Sequence, residues 1–421
     1  MPAKTKEGQS RRGAAAAGAP GYRIALILLG IVVTPVVLSA PTLGGGLAPG
    51  LAVSAIVVGA VILMAVAALT LSIGAHARQP TYDIVRFPFG RNGAKAITVL
   101  LAVSVFGWAA VTANGFGTAA QSLLAELFGV TVPFPVLVVI GCVIFVAATA
   151  FGFEILGKVA NFAVPVIAII LAYLVFVSLR SGLAFHAPGS SMPWGVAVSS
   201  VVGTGIVLVV TAADFGSFTR NRRQAIVGAV FAFGIAYPLL YIAGAIPTAV
   251  SGRGSLIEAM GVIASALPAI VLLVFASVTA NAGNIFQGTL AVSTLVTAAK
   301  KGQITVALGV AVAIVGSLDI ASWLPNFLLF LGVAAPPVAG IYIADFFWQR
   351  RRGYDNAVLT SGASVKPAAF AVWAVGCALG YLTAYGAFSL THIPSIDSLL
   401  VSAVLYAILS AARSRRTATA G

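Results

Sequence analysis

The sequence predicts an all-α integral membrane protein of twelve transmembrane helices, set out as two five-helix halves and two further helices. Three observations lead there. The chain of 421 residues is 60% hydrophobic and 8% charged, against about 25% charged residues in soluble proteins. Apolar runs long enough to cross a bilayer, about 17 to 25 residues each, recur from end to end. Two of those runs carry helix breakers at matching places in the two halves.

In chain order, residues 1–22 are basic but lack the apolar core and cleavage site of a secretory signal, so they read as a disordered cytoplasmic tail. Spans 1 to 5 follow at 23–40, 51–75, 94–125, 134–153 and 157–180, making a first half of 23–180. Spans 6 to 10 lie at 192–213, 224–250, 261–296, 303–318 and 323–348, making a second half of 192–348. Spans 11 and 12, at 367–388 and 396–412, complete the bundle (367–412), and 413–421 reads as a second cytoplasmic tail. The loops are short and leave no soluble domain for an active site, so no enzyme and no cofactor is expected.

A net charge of +14 would suggest a nucleic-acid partner in a soluble chain. Threading the twelve spans from a cytoplasmic N-terminus places 22 of the 24 Lys and Arg residues on the cytoplasmic side, with Arg180 and Arg253 outside. This is the positive-inside pattern. It accounts for the charge by topology: the expected partner is the lipid bilayer of the plasma membrane, with both termini cytoplasmic and no nucleic acid. Cys142 and Cys377 both fall inside spans, which suggests neither a disulfide nor a metal site.

The breakers are Thr34-Pro35 in span 1 and Gly203-Thr204-Gly205 in span 6. Interrupted helices at equivalent places of two halves point to an inverted-repeat transporter with a mid-membrane site. An unwound segment exposes N–H and C=O groups that hydrocarbon leaves unsatisfied and a polar ligand or cation in a cavity can satisfy. Glycine lets a ligand approach the backbone. The plainer alternative is a proline kink and glycines that allow close helix packing.

All ten acidic residues sit at span ends or in loops, which argues against a proton relay on a buried acid and against a strongly cationic substrate. A cation held by carbonyl and hydroxyl oxygens fits better. The mid-span polar residues are Trp108, Thr112, Asn114, Thr204, Thr279, Asn281, Asn284 and Gln287. Trp108 lies away from the interfacial belt where tryptophan concentrates, and its ring could stack on a flat ligand or simply pack in the core. Asn281 and Asn284 share a helix face. Their amides match the edge of a base or hydantoin-like ring, and equally serve as polar glue between helices.

Several stretches resemble the nucleobase:cation symporter family, most closely its cytosine permease branch. They are TLGGGL at 42–47, RFPFG at 86–90, GW at 107–108, ADF at 213–215 with RN at 220–221, and APPVAGIYIADFFWQRRRGYD at 335–355. The resemblance implies a leucine-transporter-type fold and alternating-access import of a nucleobase or related small heterocycle with a cation, sodium or a proton. By position it implies that Trp108 stacks on the ring, with Thr112 beside it on the same span. It also implies that Gly203, Thr204 and Gly205 offer backbone groups and that Asn281 pairs with the ring edge, near Asn284. Sodium would lie between spans 1 and 8, by the Gly30 and Val33 carbonyls and the Thr279 hydroxyl. Where cytosine permeases tend to have a glutamine, an aromatic, a second hydroxyl and an arginine, this chain has Val105, Gly205, Ala280 and Ser217. An amino-acid or other small-solute carrier of the same fold is the nearer rival, and a channel the more distant one.

Overall fold

The computed structural model describes residues 18–34, 47–149, 152–182, 193–252, 256, 259–260, 266–318, 320, 324–350, 354 and 363–419. Helices α1 to α6 are Gly21–Val32, Pro49–Ala77, Gly93–Phe128, Phe134–Thr149, Gly152–Arg180 and Trp194–Val210. Helix α7, Arg222–Ser251, contains a π-helical stretch at Val230–Ala236. Helices α8 and α9 are Ala266–Leu295 and Lys301–Gly316. Helix α10 runs in pieces, Leu324–Ala334, Pro336–Ala344 and a π-helical Asp345–Gln349, because Pro336 and Pro337 cannot continue the ladder before them. Helices α11 and α12 are Pro367–Ala384 and Pro394–Thr419.

A helix stands at the place of each expected span. Among the described residues, eight helices are long and apolar enough to cross a membrane, while α1, α4, α6 and α9 are shorter apolar helices. Both expected tails are shorter than the sequence suggests. Residues 18–22 belong to the fold, with α1 starting at Gly21 and Ala19 bridging to Thr219. Helix α12 continues through 413–419, where alanine and arginine favour the helix.

Helix α2 packs along α6 and α7 packs along α1. Exchanging the first and second helices of one half for those of the other turns one contact into its counterpart. Helices α3 and α8, each third in its half, pack on one another at the centre, and α11 and α12 pack beside α10.

The expected break in span 1 has its counterpart in the chain: α1 ends at Val32 and Val33 is extended. Pro35 lies outside the described residues. The expected break at Gly203-Thr204-Gly205 is corrected, because α6 is helical without interruption through all three. A Cβ on Gly205 would meet Leu63 Cδ1 of α2 at 2.8 Å, and one on Gly59 of α2 would meet Val201 Cγ1 of α6 at 2.6 Å. Each helix receives a side chain of the other at a glycine, the close packing that small residues permit in membranes. The actual interruption comes later, at Thr211 and Ala212, followed by the short turn Ala213–Gly216.

The ends of α2 and α6 are fastened together. Gly74 of α2 lies against the Ala213 backbone, so close that a Cβ would stand 2.7 Å from Ala213 Cα. Arg78, left-handed at φ 55° as the C-cap of α2, donates to the carbonyls of Ser217, Thr219 and Arg220. Thr81 N–H donates to Asp214 Oδ1 at 2.7 Å, while Asp214 Oδ2 is buried with no hydrogen-bond partner among the described residues. Burial pushes the Asp214 carboxyl up to about 7, against the lowering effect of the Thr81 N–H.

That value sets a pH dependence. Between about pH 4 and 7 the folded chain keeps a proton that the unfolded chain has released, so stability falls as pH rises and the loss is complete above about 7. The full difference is at most about 4 kcal/mol. The unfolding temperature in detergent is expected to drop from pH 5 to pH 8, and Asp214→Asn, which keeps an acceptor for Thr81, is expected to flatten that slope. An unchanged slope in Asp214→Asn would assign the pH dependence to another group.

Candidate functional site

A narrow cavity of about 30 Å³ lies where α1, α3, α6 and α8 meet. Its walls are Ile31, Val32 and Thr34 at the end of α1, Val105, Trp108 and Thr112 of α3, Thr204, Val207 and Leu208 of α6, and Asn284 and Gln287 of α8. Four of the site residues expected from the sequence therefore come together: Trp108, Thr112, Thr204 and Asn284. The Trp108 indole meets Phe327 of α10 edge-on, with centroids 6.3 Å apart and planes at 68°, an arrangement that aromatic quadrupoles favour. The Thr204 hydroxyl pairs with the Tyr237 hydroxyl of α7 at 2.7 Å.

Gly203 and Gly205 lie outside the cavity wall, because the helix is intact there and Gly205 faces α2. Asn281 also lies off the wall. It is fully buried, and among the described residues neither Nδ2 nor Oδ1 has a hydrogen-bond partner. Leaving such groups unpaired costs about 1–3 kcal/mol each. Asn114 is inter-helix glue: its amide donates to the Gly316 carbonyl at 2.9 Å and to Leu318 at 3.1 Å.

The end of the cavity next to Thr211 is a hydrogen-bonded floor that the sequence reading did not assemble. Gln287 Nε2 donates to Thr211 Oγ1 at 2.8 Å, and Thr211 Oγ1 donates to the Val207 carbonyl at 2.8 Å. Tyr82 O–H donates to the Gln287 carbonyl at 3.3 Å. The carbonyls that α6 leaves unpaired in its last turn are taken up by protein. Val209 accepts from Thr70 Oγ1 at 2.8 Å and Val210 from Tyr342 O–H at 2.7 Å. Gln287 carried a sequence signal, a polar residue in mid-span, but its direction depended on the rotation of α8.

Of the residues expected to hold a cation, Gly30 and Thr279 lie at the contact of α1 and α8. A Cβ on Gly30 would meet Thr279 Cβ at 3.2 Å and Ala160 Cβ at 3.6 Å, so α1, α5 and α8 converge there. The Thr279 hydroxyl donates to the Phe275 carbonyl at 2.7 Å, which leaves its oxygen lone pairs for an acceptor role. Val33 is the extended residue that follows α1, where carbonyls lose their helical partners. These are hard oxygen donors, a set that fits an alkali cation. Among the described residues no group of three or more His, Cys, Asp or Glu side chains forms a metal cluster.

The family model for permeases for cytosine/purines, uracil, thiamine and allantoin matches residues 22–406. The chain belongs to this permease family. The cytosine permease of Escherichia coli (strain K12) is 29% identical over 389 residues, covering 90% of this permease and 88% of that protein. Among solved structures, Mhp1, a nucleobase-cation-symport-1 family transporter in a closed conformation with bromovinylhydantoin bound, superposes at TM-score 0.83. It shares 21% identity over 96% of this permease and 94% of that chain. The inward-facing conformation of Mhp1 gives 0.75 with 20% identity, covering 95% and 94%. The permease has the leucine-transporter-type helical fold, and it is a membrane transporter rather than an enzyme.

Proposed function

We propose that the permease is a secondary active transporter that imports a nucleobase or related small heterocycle together with a cation by alternating access. The observation that carries this reading is the cavity itself, which brings an indole, Trp108, together with an amide, Asn284, and a hydroxyl, Thr112, at the meeting of α1, α3, α6 and α8. Stacking holds a flat ring, and the amides read its edge. Asn281, one turn from Asn284 on α8, is fully buried off the cavity wall, and among the described residues neither of its amide atoms has a hydrogen-bond partner. The E. coli relative is a cytosine permease, and Mhp1 is solved with a hydantoin. Mhp1 is also known in closed and inward-facing forms of this fold, which supports alternating access.

The coupling ion in this reading is sodium, held by the Gly30 and Val33 carbonyls and the Thr279 hydroxyl, with a proton as the alternative. Both termini face the cytoplasm. Uptake into vesicles of a labelled heterocycle, competed by cytosine, purines, hydantoins and amino acids, tests the substrate class. Competition by amino acids alone would overturn it. Ion and substrate binding are reciprocally linked, so substrate affinity is expected to rise with sodium, and Thr279→Ala is expected to weaken that dependence more than it weakens binding at saturating sodium. Affinity that is flat with sodium, with choline as replacement, but varies with pH would replace sodium by a proton.

A further inference from the structure

We propose that Gln287 determines which heterocycles the permease accepts: its Oε1 is held toward the cavity as a fixed acceptor, so that rings bearing an amino group are preferred over their oxo analogues. The proposal rests on the heterocycle reading given above and deepens it.

The orientation of the amide follows from a relay. The Thr211 hydroxyl has a single hydrogen, and it is committed to the Val207 carbonyl at 2.8 Å, the usual back-bond of a threonine in a helix. What Thr211 Oγ1 can offer Gln287 is therefore a lone pair, and the 2.8 Å contact has to be made by the N–H side of the amide. Turning the amide over would set oxygen against oxygen, or would take the hydroxyl away from Val207. Gln287 lines the cavity, and among the described residues its Oε1 receives no hydrogen bond. Tyr82 O–H donates to the main-chain carbonyl of Gln287 and so ties down the backbone that carries this side chain.

Asn284, the other amide on the wall, makes no hydrogen bond among the described residues and can turn to suit a donor or an acceptor. Discrimination therefore falls to Gln287. Val105 lines the same cavity with an apolar side chain. An amino group facing Oε1 is paired. An oxo group there sets acceptor against acceptor, unless the ring turns and gives up its other contacts. A site built around one hydrogen bond rejects the analogue that lacks it, because both partners are then left unpaired where water is scarce.

The test measures the affinities of cytosine, uracil and pyrimidin-2-one, and of adenine and hypoxanthine, for the purified permease in sodium. The amino member of each set is expected to bind about 5-fold or more tightly. Thr211→Val removes the oxygen that orients the amide and is expected to shrink the preference to about twofold or less, with Thr211→Ser restoring it. Gln287→Leu, with folding checked by thermal melting, is expected to abolish it and carries the test should Thr211→Val fail to fold. Equal or reversed preference in the wild type, or an unchanged ratio in Gln287→Leu, overturns the proposal while leaving heterocycle transport standing. If none of the five compounds binds, the heterocycle reading falls and this proposal falls with it.

Discussion

Gly74→Ala is expected to destabilise the permease by about 2 kcal/mol or more, whereas Gly203→Ala is expected to leave it as stable or to raise its stability by up to about 1 kcal/mol. A Cβ at 74 would stand 2.7 Å from Ala213 Cα, and a backbone cannot swing aside as a side-chain tip can. A Cβ at 203 would meet nothing within 4 Å among the described residues, in a helix where alanine is the better former. Thermal unfolding of both variants in one detergent checks the pair. Loss of stability in Gly203→Ala would restore the unwound segment that the sequence suggested there.

That pair also shows what was legible in the sequence. The helices could be read because crossing a bilayer demands long apolar runs, and each run is a helix at its place. The end of α1 near Val32 could be read from the Thr34-Pro35 pair in the sequence. The break in α6 could not, because it falls at Thr211 and Ala212, neither of which is a breaker, and is held open by Thr70 and Tyr342 from distant helices. The glycines that looked like a break serve the α2–α6 contact, and a sequence does not distinguish the two uses of glycine in a membrane. The site was half legible for a related reason. Asn284 and Asn281 are alike in spacing and chemistry, and only the rotation of α8 sends the first into the cavity wall and leaves the second off it.

Trp108→Ala is expected to lower substrate affinity about 10-fold or more, close to the upper range for a lost aromatic contact. Trp108→Phe is expected to retain most of the affinity, since a ring still faces the cavity and can still meet Phe327 edge-on. Titration of the purified variants, with melting curves to show that each is folded, checks both. Unchanged affinity in a folded Trp108→Ala variant would remove the indole from the site and leave the ring to be held by the amides alone.

The strip of chain after α6 is bound to the strip before α1. Ala19 N–H donates to the Phe218 carbonyl at 2.7 Å, Arg220 N–H returns to the Ala19 carbonyl at 3.0 Å, and Arg220 Nε reaches Gly18 at 3.2 Å. Arg78 clamps the same strip from the end of α2. In mechanical terms, the start of α1 and the segment after α6 share one bearing. A displacement of either end has to break these bonds or carry the other end with it. Each bond is worth only about 0.5–1.5 kcal/mol, but they shear together, so the bearing gives way as a unit or holds as one.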